Sequence, residues 1–456
     1  MEKLVRLLGV LNLGLTFTTS AWGNLLENVG ASSSSAAMAG ISAQGPGSQT
    51  AALSNPALLS GSSNRTERLK LQFSVVSLVP SFDPINNVVT ANDYATGTST
   101  PTIVGNVDND YKTTLGTILS ANYRFGENQK WGAGIFAYIP TLQMFYSDSG
   151  EAYVPEYILH RSRTQRPQIA LGAARSLSSS FSVGFGGQVA YSLTGNGNVL
   201  LSQSGSNPSA MRFSASMKPL LQPYVGAAWE PSAKLATGLV FRFPRTSDIN
   251  FTLNSGARVL GSLGALDFNL KAAAAMSYDP MSIELAQTLK LTDTLTTIAQ
   301  LDVQFWDKFE PSAMNIECSS NCIVVVNPSK NPAFDFRNIV IPRLGLEWKR
   351  PKWTFRSGYA YRPGIIAQGA LSGAGNLLDP SRHTISAGAG FTGAKFLEFD
   401  APYTLDFHVQ YQSLVSEKVT KTSGNEVGAA GSKIGSPGYT VGGKLFGAGL
   451  SLTLQI

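Results

Sequence analysis

The chain has 456 residues, of which only 14% are charged and 43% hydrophobic, with 45 glycines and a formal net charge of +6. An average soluble domain carries about a quarter charged residues, so this composition excludes a string of ordinary soluble domains. The positive charge is spread along the chain without a basic run, which argues against a nucleic-acid partner. Beyond residue 23 no apolar window reaches the length of about 18 residues that a transmembrane helix requires.

In chain order, Lys3 and Arg6 precede an apolar run, Leu7 to Phe17, that ends near Ala21-Trp22-Gly23. This is the pattern of a secretory signal peptide, and residues 1–23 are therefore set apart from the fold. Residues 24–63 follow, rich in Gly, Ala and Ser and without a helical or strand period. Ala51, Ala52, Leu53, Pro56, Ala57, Leu58 and Leu59 make this segment too apolar for a solvated linker, so it is expected to pack inside something.

From residue 64 to residue 456 the pattern alternates with period two, the signature of two-faced strands. Leu405, Phe407, Val409 and Tyr411 interleave with Asp406, His408, Gln410 and Gln412. Phe181, Val183, Phe185, Val189 and Tyr191 do so with Ser182, Gly184, Gly186, Gln188 and Ser192, and Leu301, Val303 and Phe305 with Gln300, Asp302 and Gln304. About fourteen such strands can be counted, and Leu266 to Met276 is assigned to a loop because a closed single-chain barrel has an even count.

Aromatics near the strand ends, Trp229, Phe243, Trp306, Phe309, Trp348, Tyr359 and Tyr361, suit interfacial girdles. Short turns such as Ser178-Ser179-Ser180 and Arg350-Pro351-Lys352 alternate with long polar excursions such as 86–110 and 311–338, the layout of an outer-membrane barrel. The expected fold is thus all-β, a transmembrane antiparallel β-barrel of about fourteen strands. Cys318 and Cys322 lie close together in an exported chain and are expected to form a small loop disulfide. No His stands near them, which disfavours a metal pair.

Catalysis finds little support. The chain has three histidines, and His383 and Ser386, three positions apart on a strand, face opposite sides. No phosphate-cradling loop or cluster of metal ligands is present in the sequence, so no enzyme activity, cofactor or metal is expected. The polar faces of the strands carry Arg242, Asp302, Arg343, Glu347, Arg356, Asp406 and His408. They are expected to form ion pairs within the lumen; in a functional role, Arg343 or Arg356 would attract a carboxylate head group through the planar fork of its guanidinium.

Three segments resemble the long-chain fatty-acid transporter family of Gram-negative outer membranes, which includes channels for aromatic hydrocarbons. They are Ala51 to Leu59 around Asn55-Pro56-Ala57, Gln300 to Phe309, and Pro342 to Trp348 with Arg356 to Tyr361, leading to Leu378-Asp379-Pro380-Ser381-Arg382-His383. The chain departs from the family's common aromatic C-terminus by ending in Ile456.

The resemblance implies an outer-membrane channel for hydrophobic small molecules, surrounded by outer-membrane lipid and working as a monomer, with residues 24–63 as a hatch that plugs the lumen. It implies lateral exit past a kinked third strand, for which Pro140 is the candidate because proline cannot donate to the ladder. Asn55, Pro56 and Ala57 would set a turn in the hatch. Leu260, Leu263, Leu266 and Phe268 are candidates for an apolar ligand pocket, since burial contributes about 0.8 kcal/mol per methylene. The competing expectation is a structural or secretion-accessory barrel whose lumen stays closed.

Overall fold

The computed structural model describes residues 25–60, 67–92, 102–107, 111–142, 154–160, 166–202, 210–258, 265–309, 315–318, 335–367, 375–396, 400–421 and 434–456. The expected signal peptide, residues 1–23, lies outside the described residues.

Fourteen strands form a closed antiparallel ring. They are β1 (Leu69–Phe82), β2 (Thr114–Phe125), β3 (Trp131–Pro140), β4 (Gln168–Ser176), β5 (Phe181–Ser202), β6 (Ala210–Ser232) and β7 (Leu235–Arg242). The second half comprises β8 (Met281–Lys290), β9 (Leu295–Phe305), β10 (Ile339–Lys349), β11 (Trp353–Arg362), β12 (Arg382–Gly393), β13 (Tyr403–Thr420) and β14 (Gly438–Gln455). Each pairs with its neighbour in sequence, and the last closes on the first through a register running from Lys70↔Gln455 to Phe82↔Gly443. Closure leaves no unpaired edge, the condition a sheet must meet in hydrocarbon.

The two faces are inverted relative to a soluble protein. Phe407 is 49% exposed while the adjacent His408 is fully buried. The same inversion runs around the ring: Phe73, Ile135, Leu171, Phe185, Leu239, Leu301, Leu344 and Leu450 face outward, whereas Gln72, Ser120, Gln188, Gln222, Gln300, Ser386, Gln410 and Ser451 are buried inside. Only an apolar solvent makes this arrangement favourable, and the fold is that of an outer-membrane barrel.

Near the short turns, Trp131, Trp229, Trp348 and Trp353 form an exposed belt. The guanidiniums of Arg175 and Arg350 sit 4.8 Å and 4.1 Å from the ring centres of Trp131 and Trp348, placing cations where lipid head groups begin. Trp306 and Phe309 do not join a girdle, contrary to expectation. The chain leaves β9 at Phe305 and turns inward, so that both are buried against Tyr278 and Phe336.

The segment Leu266 to Met276 is also corrected. It belongs to a strand, Ala265–Asp279, that pairs antiparallel with Arg245–Arg258. This hairpin interrupts the sequence between β7 and β8 but not their pairing, which runs from Leu235↔Leu289 to Arg242↔Ser282. It therefore stands outside the ring. Its first strand pairs in parallel with the distal half of β5, from Ile249↔Leu193 to Arg258↔Ser202, whereas the proximal half of β5 pairs with β4. A period-two pattern identifies a strand but not the sheet position it takes.

Candidate functional site

Residues 25–60 lie within the ring and descend from the long-loop end to the short-turn end before β1 begins. They contain two short helices, α1 (Leu25–Val29) and α2 (Ser33–Ala36), and two 3₁₀ turns, Gly45–Thr50 and Pro56–Leu59. So little regular structure leaves many backbone groups without internal partners, and the polar lumen wall supplies them.

Ser33 N donates to Ser451 Oγ at 2.9 Å, and Ala39 N donates to Ser386 Oγ at 2.8 Å. Ser42 N and Ala43 N share Gln300 Oε1 at 2.9 Å and 3.1 Å. Asn122 Nδ2 donates to Ser48 O and Gln49 O at 3.2 Å and 3.1 Å, and Arg124 Nε donates to Leu59 O at 3.0 Å. Tyr224 Oη donates to Ala52 O.

Asn55 is extended, with φ −142° and ψ 104°, as a residue preceding proline must be. Its Oδ1 accepts from Ala57 N at 3.1 Å, capping the Pro56–Leu59 turn, while Nδ2 donates to Ala43 O at 2.9 Å and to Ala227 O at 3.1 Å. One side chain thus ties two parts of the plug to each other and to β6. The wall facing this turn is glycine: a Cβ on Gly184 would collide with the backbone of Pro56 and Ala57, and one on Gly226 would meet Asn55. Gly132 and Gly358 make the same room for Leu59 and Met38.

The inward arginines are tied up. Arg242 Nε pairs with Glu284 at 2.8 Å, and its Nη2 donates to Leu53 O at 2.7 Å and Ser54 O at 2.8 Å. Arg343 Nε pairs with Asp302 at 2.7 Å, and its Nη1 reaches Ala39 O at 2.5 Å. Arg356 bridges Glu347 at 2.8 Å and Asp406 at 2.6 Å. Arg242 and Arg343 are thus rivets between wall and plug, and the Nε and Nη1 groups of both Arg343 and Arg356 are engaged by carboxylates or a plug carbonyl. His408 is buried beside the plug, with neither ring nitrogen hydrogen-bonded among the described residues.

Two residues to which the sequence reading gave no role, Arg382 within a quoted segment and Arg362 just beyond one, complete the upper lumen. Arg362 and Arg382 are register partners on β11 and β12, both buried. Arg362 Nη1 pairs with Asp379 at 2.7 Å, and Arg382 Nη2 donates to Asn28 Oδ1 of the plug at 2.7 Å. The only sequence signal for them is their place in Tyr361-Arg362-Pro363 and Asp379-Pro380-Ser381-Arg382, at the ends of adjacent strands.

Above and beside the plug, apolar side chains converge. Phe82 stacks on Tyr157 with ring centres 4.0 Å apart, and Tyr111 meets Phe82 edge-on at 4.7 Å. Ile158, Leu159, Ile365, Ile366, Leu377 and Leu378 belong to the same buried cluster, which Leu26 and Val29 of the plug join. This is the packed apolar cluster of the upper lumen among the described residues. Leu260 and Leu263 lie outside the described residues, and Leu266 and Phe268 stand on the hairpin strand outside the ring.

Among the described residues, an upper and a lower cavity border the plug. The upper one, of about 160 Å³, is lined by Leu26, Glu27, Leu53, Arg242, Glu284 and Arg343. The lower one, of about 580 Å³, opens among the short turns, lined by Ser48, Ser60, Ser180, Lys234, Thr296 and Lys349.

Pro140 is the last residue of β3, paired with Gly116 of β2, and the following Thr141 N still donates to Leu115 O at 2.8 Å. The β3–β4 ladder runs without a register shift from Trp131↔Arg175 to Tyr138↔Gln168 and ends there, so that Pro140 is paired with β2 and lies beyond the last residue pair between β3 and β4. Cys318 ends the short strand Asn315–Cys318, and Cys322 lies outside the described residues. His383 faces outward, 2.8 Å from Tyr359 Oη, on the opposite face of β12 from Ser386, which holds the plug.

A family model described as outer membrane protein transport protein (OMPP1/FadL/TodX) matches residues 13–435. Among solved structures, a FadL homologue of Pseudomonas aeruginosa superposes with a TM-score of 0.56 at 13% identity, covering 96% of this chain and 99% of that one. The toluene transporter TodX of P. putida gives 0.54 at 13% identity over 94% and 99%. The CymD monoaromatic hydrocarbon channel gives 0.53 at 15% identity over 94% and 98%. At these identities the structures share a fold with this chain. None of the curated proteins matches it.

Proposed function

The chain belongs to the outer membrane transport protein family that includes FadL and TodX, and from that premise we propose that it takes up hydrophobic small molecules through a lumen gated by residues 25–60. The observation that carries this reading is the juxtaposition of an apolar side-chain cluster in the upper lumen with a plug held mainly by polar contacts. Apolar ligands gain about 0.8 kcal/mol per methylene on leaving water for apolar surroundings of this kind. The plug's hydrogen bonds to wall side chains each contribute about 1 kcal/mol net, small enough to be broken singly and reformed.

The route beyond the plug leads sideways rather than downward. The lower cavity mixes serines, Lys234, Lys290, Lys349 and Glu347 with Leu58, Phe181, Leu235 and Ile298, so an alkyl chain entering it would meet charged groups that the apolar cluster above lacks. The outward face of the ring is rich in exposed large apolar side chains, so lipid is the better acceptor. The end of the β3–β4 ladder at Tyr138↔Gln168, just before Pro140, is the place on the ring where such an exit is proposed.

The test is a reversible tether. Ser33 Oγ and Ser451 Oγ stand 2.9 Å apart, so the pair Ser33→Cys, Ser451→Cys brings two thiols within cross-linking distance. Cells carrying this double variant are expected to take up labelled oleate or a labelled aromatic hydrocarbon at the wild-type rate when reduced. Oxidation should slow uptake of whichever compound is transported, with no such loss in equally oxidised wild type. Equal uptake of both compounds with and without the protein would overturn transport, and uptake unaffected by a formed cross-link would overturn the gate.

A further inference from the structure

We propose that the outward face of β12, β13 and β14 holds a docking site for the phosphorylated head of an outer-leaflet glycolipid, with Lys418 and Lys444 as its cations. This goes beyond the transport reading and does not rest on it, because the site lies on the lipid-facing side of the wall, away from lumen and plug.

Two rows of outward side chains cross this sector of the ring. In the first, Tyr359, Ile385, Tyr411, Phe446 and Val79 are successive register partners on β11, β12, β13, β14 and β1, and all are exposed. Two positions further from the short turns, the same strands present Tyr361, His383, Ser413, Lys444 and Ser81. The passage from apolar to polar in one step marks the edge of the hydrocarbon. From Tyr403, near the short turns, β13 covers about ten residues to Ser413. At about 3.3 Å per residue and a tilt of roughly 40°, that climb is about 25 Å, the height of the apolar band of such barrels. With the short turns in the periplasm, the polar row stands at the head groups of the outer leaflet.

Cations gather at this edge. Lys444 and Lys418 are exposed on adjacent strands, and neither ammonium has a partner among the described residues. Lys418 shares the parity of the buried Gln412 and Leu414, so an unbroken strand would turn it to the lumen. A bulge between Leu414 and Glu417 adds one residue to β13 and brings Lys418 to the outward face, opposite Thr440. Asp83 stands over Gly442 nearby and pairs with neither lysine. His383 Nδ1 is 2.8 Å from Tyr359 Oη, which leaves Nε2 without a partner among the described residues, and its ring centre is 5.0 Å from that of Tyr361. Elsewhere on the ring, outward positions toward the long loops are apolar, as at Leu221, Phe243 and Val340.

The spacing names the ligand class. Lysines at a membrane surface attract anionic head groups, and an ammonium meets a phosphate as a point charge. Thr440, the partner of Lys418, is four residues from Lys444 on β14, so the two backbones are about 14 Å apart at the spacings of a sheet. One phosphate does not span that distance, whereas a sugar unit phosphorylated at both ends does. The rings of His383 and Tyr361 offer such a sugar a flat surface beside the cations. The apolar row below extends over five strands, about 20 Å at ~4.8 Å per strand. Several acyl chains can lie on it side by side, where an ordinary phospholipid brings two.

The experiment uses the full mature chain in detergent, titrated with bisphosphorylated lipid A and with the same lipid stripped of both phosphates, and counts retained lipid by native mass spectrometry. Wild type is expected to hold the phosphorylated form about tenfold more tightly, and the double variant Lys418→Gln, Lys444→Gln to lose that preference. Lys352→Gln, at an exposed lysine among the short turns, should keep it. Equal retention of the two lipids by wild type, or an equal loss in Lys352→Gln, would overturn the site. Displacement of the phosphorylated lipid by an equal concentration of inorganic phosphate would assign a bare anion site and overturn the lipid as its occupant. Should the double variant fail to assemble, the ratio of the two lipids on wild type and on Lys352→Gln decides alone.

Discussion

Replacing Asn55 by Ala removes three hydrogen bonds made by a fully buried side chain: to Ala43 O, to Ala227 O and from Ala57 N. Each contributes about 1 kcal/mol net. A loss of about 3 kcal/mol from the local closing free energy corresponds to a roughly hundredfold larger open fraction. The readout is amide hydrogen exchange of the purified protein in detergent. Peptides covering 52–60 should exchange roughly a hundredfold faster in Asn55→Ala, while peptides covering 33–39, anchored separately on Ser451 and Ser386, should keep their wild-type rates. Asn55→Asp retains the acceptor for Ala57 N but loses both donations, and should fall between. Unchanged exchange over 52–60 would refute the reasoning. Equal acceleration of both segments would show that the plug opens as one unit.

Gly184→Ala places a methyl group against the backbone of Pro56 and Ala57, an overpacking of about 1–3 kcal/mol that should lower the temperature at which the folded gel band disappears. Gly187→Ala, which meets only the flexible end of Leu221 on the outer face, should change it little. Arg343→Met strands the buried Asp302 carboxylate and is expected to cost about 3–5 kcal/mol, most of it recovered in Arg343→Met, Asp302→Asn. A double-mutant cycle on unfolding measures the coupling, and additivity would refute it. Burial pushes the Tyr157 hydroxyl from 10.0 up to about 12. The folded state therefore holds this proton more tightly, so its contribution to loop docking is complete below pH 10 and is lost as pH rises through 12. Tyr157→Phe should remove this alkaline limb from the pH dependence of loop proteolysis; an unchanged limb would assign it elsewhere.

The strands were legible because each carries its environment on alternate residues, as in Leu405 to Gln412, and the inverted sense of the faces follows from lipid outside. Parity places Arg242, Arg343 and Arg356 toward the lumen, but their partners depend on which side chains the register brings opposite. Arg362 and Arg382 show the same limit: twenty positions apart in sequence, they meet only because β11 and β12 align them. The hairpin strand Ala265–Asp279 was read as a loop because an even ring has no place for it, and the pattern does not show that a strand can pair above the ring. Trp306 was assigned to a girdle from its place at a strand end, whereas the chain's inward turn after Phe305 decided its fate. The apolar cluster draws on β1, β13, β14 and several connections, none of which is conspicuous alone.

The glycine-lined inner surface bears on how the molecule is built. A wall shaped to the backbone of residues 37–59 acts as a mould, and the casting lies ahead of the first strand in the chain. Since the final seam joins β14 to β1, the insert must already be in position when the hoop is sewn shut. Assembly order and gating are therefore coupled: whatever weakens the fit of the insert exposes the unfinished hoop to closing empty.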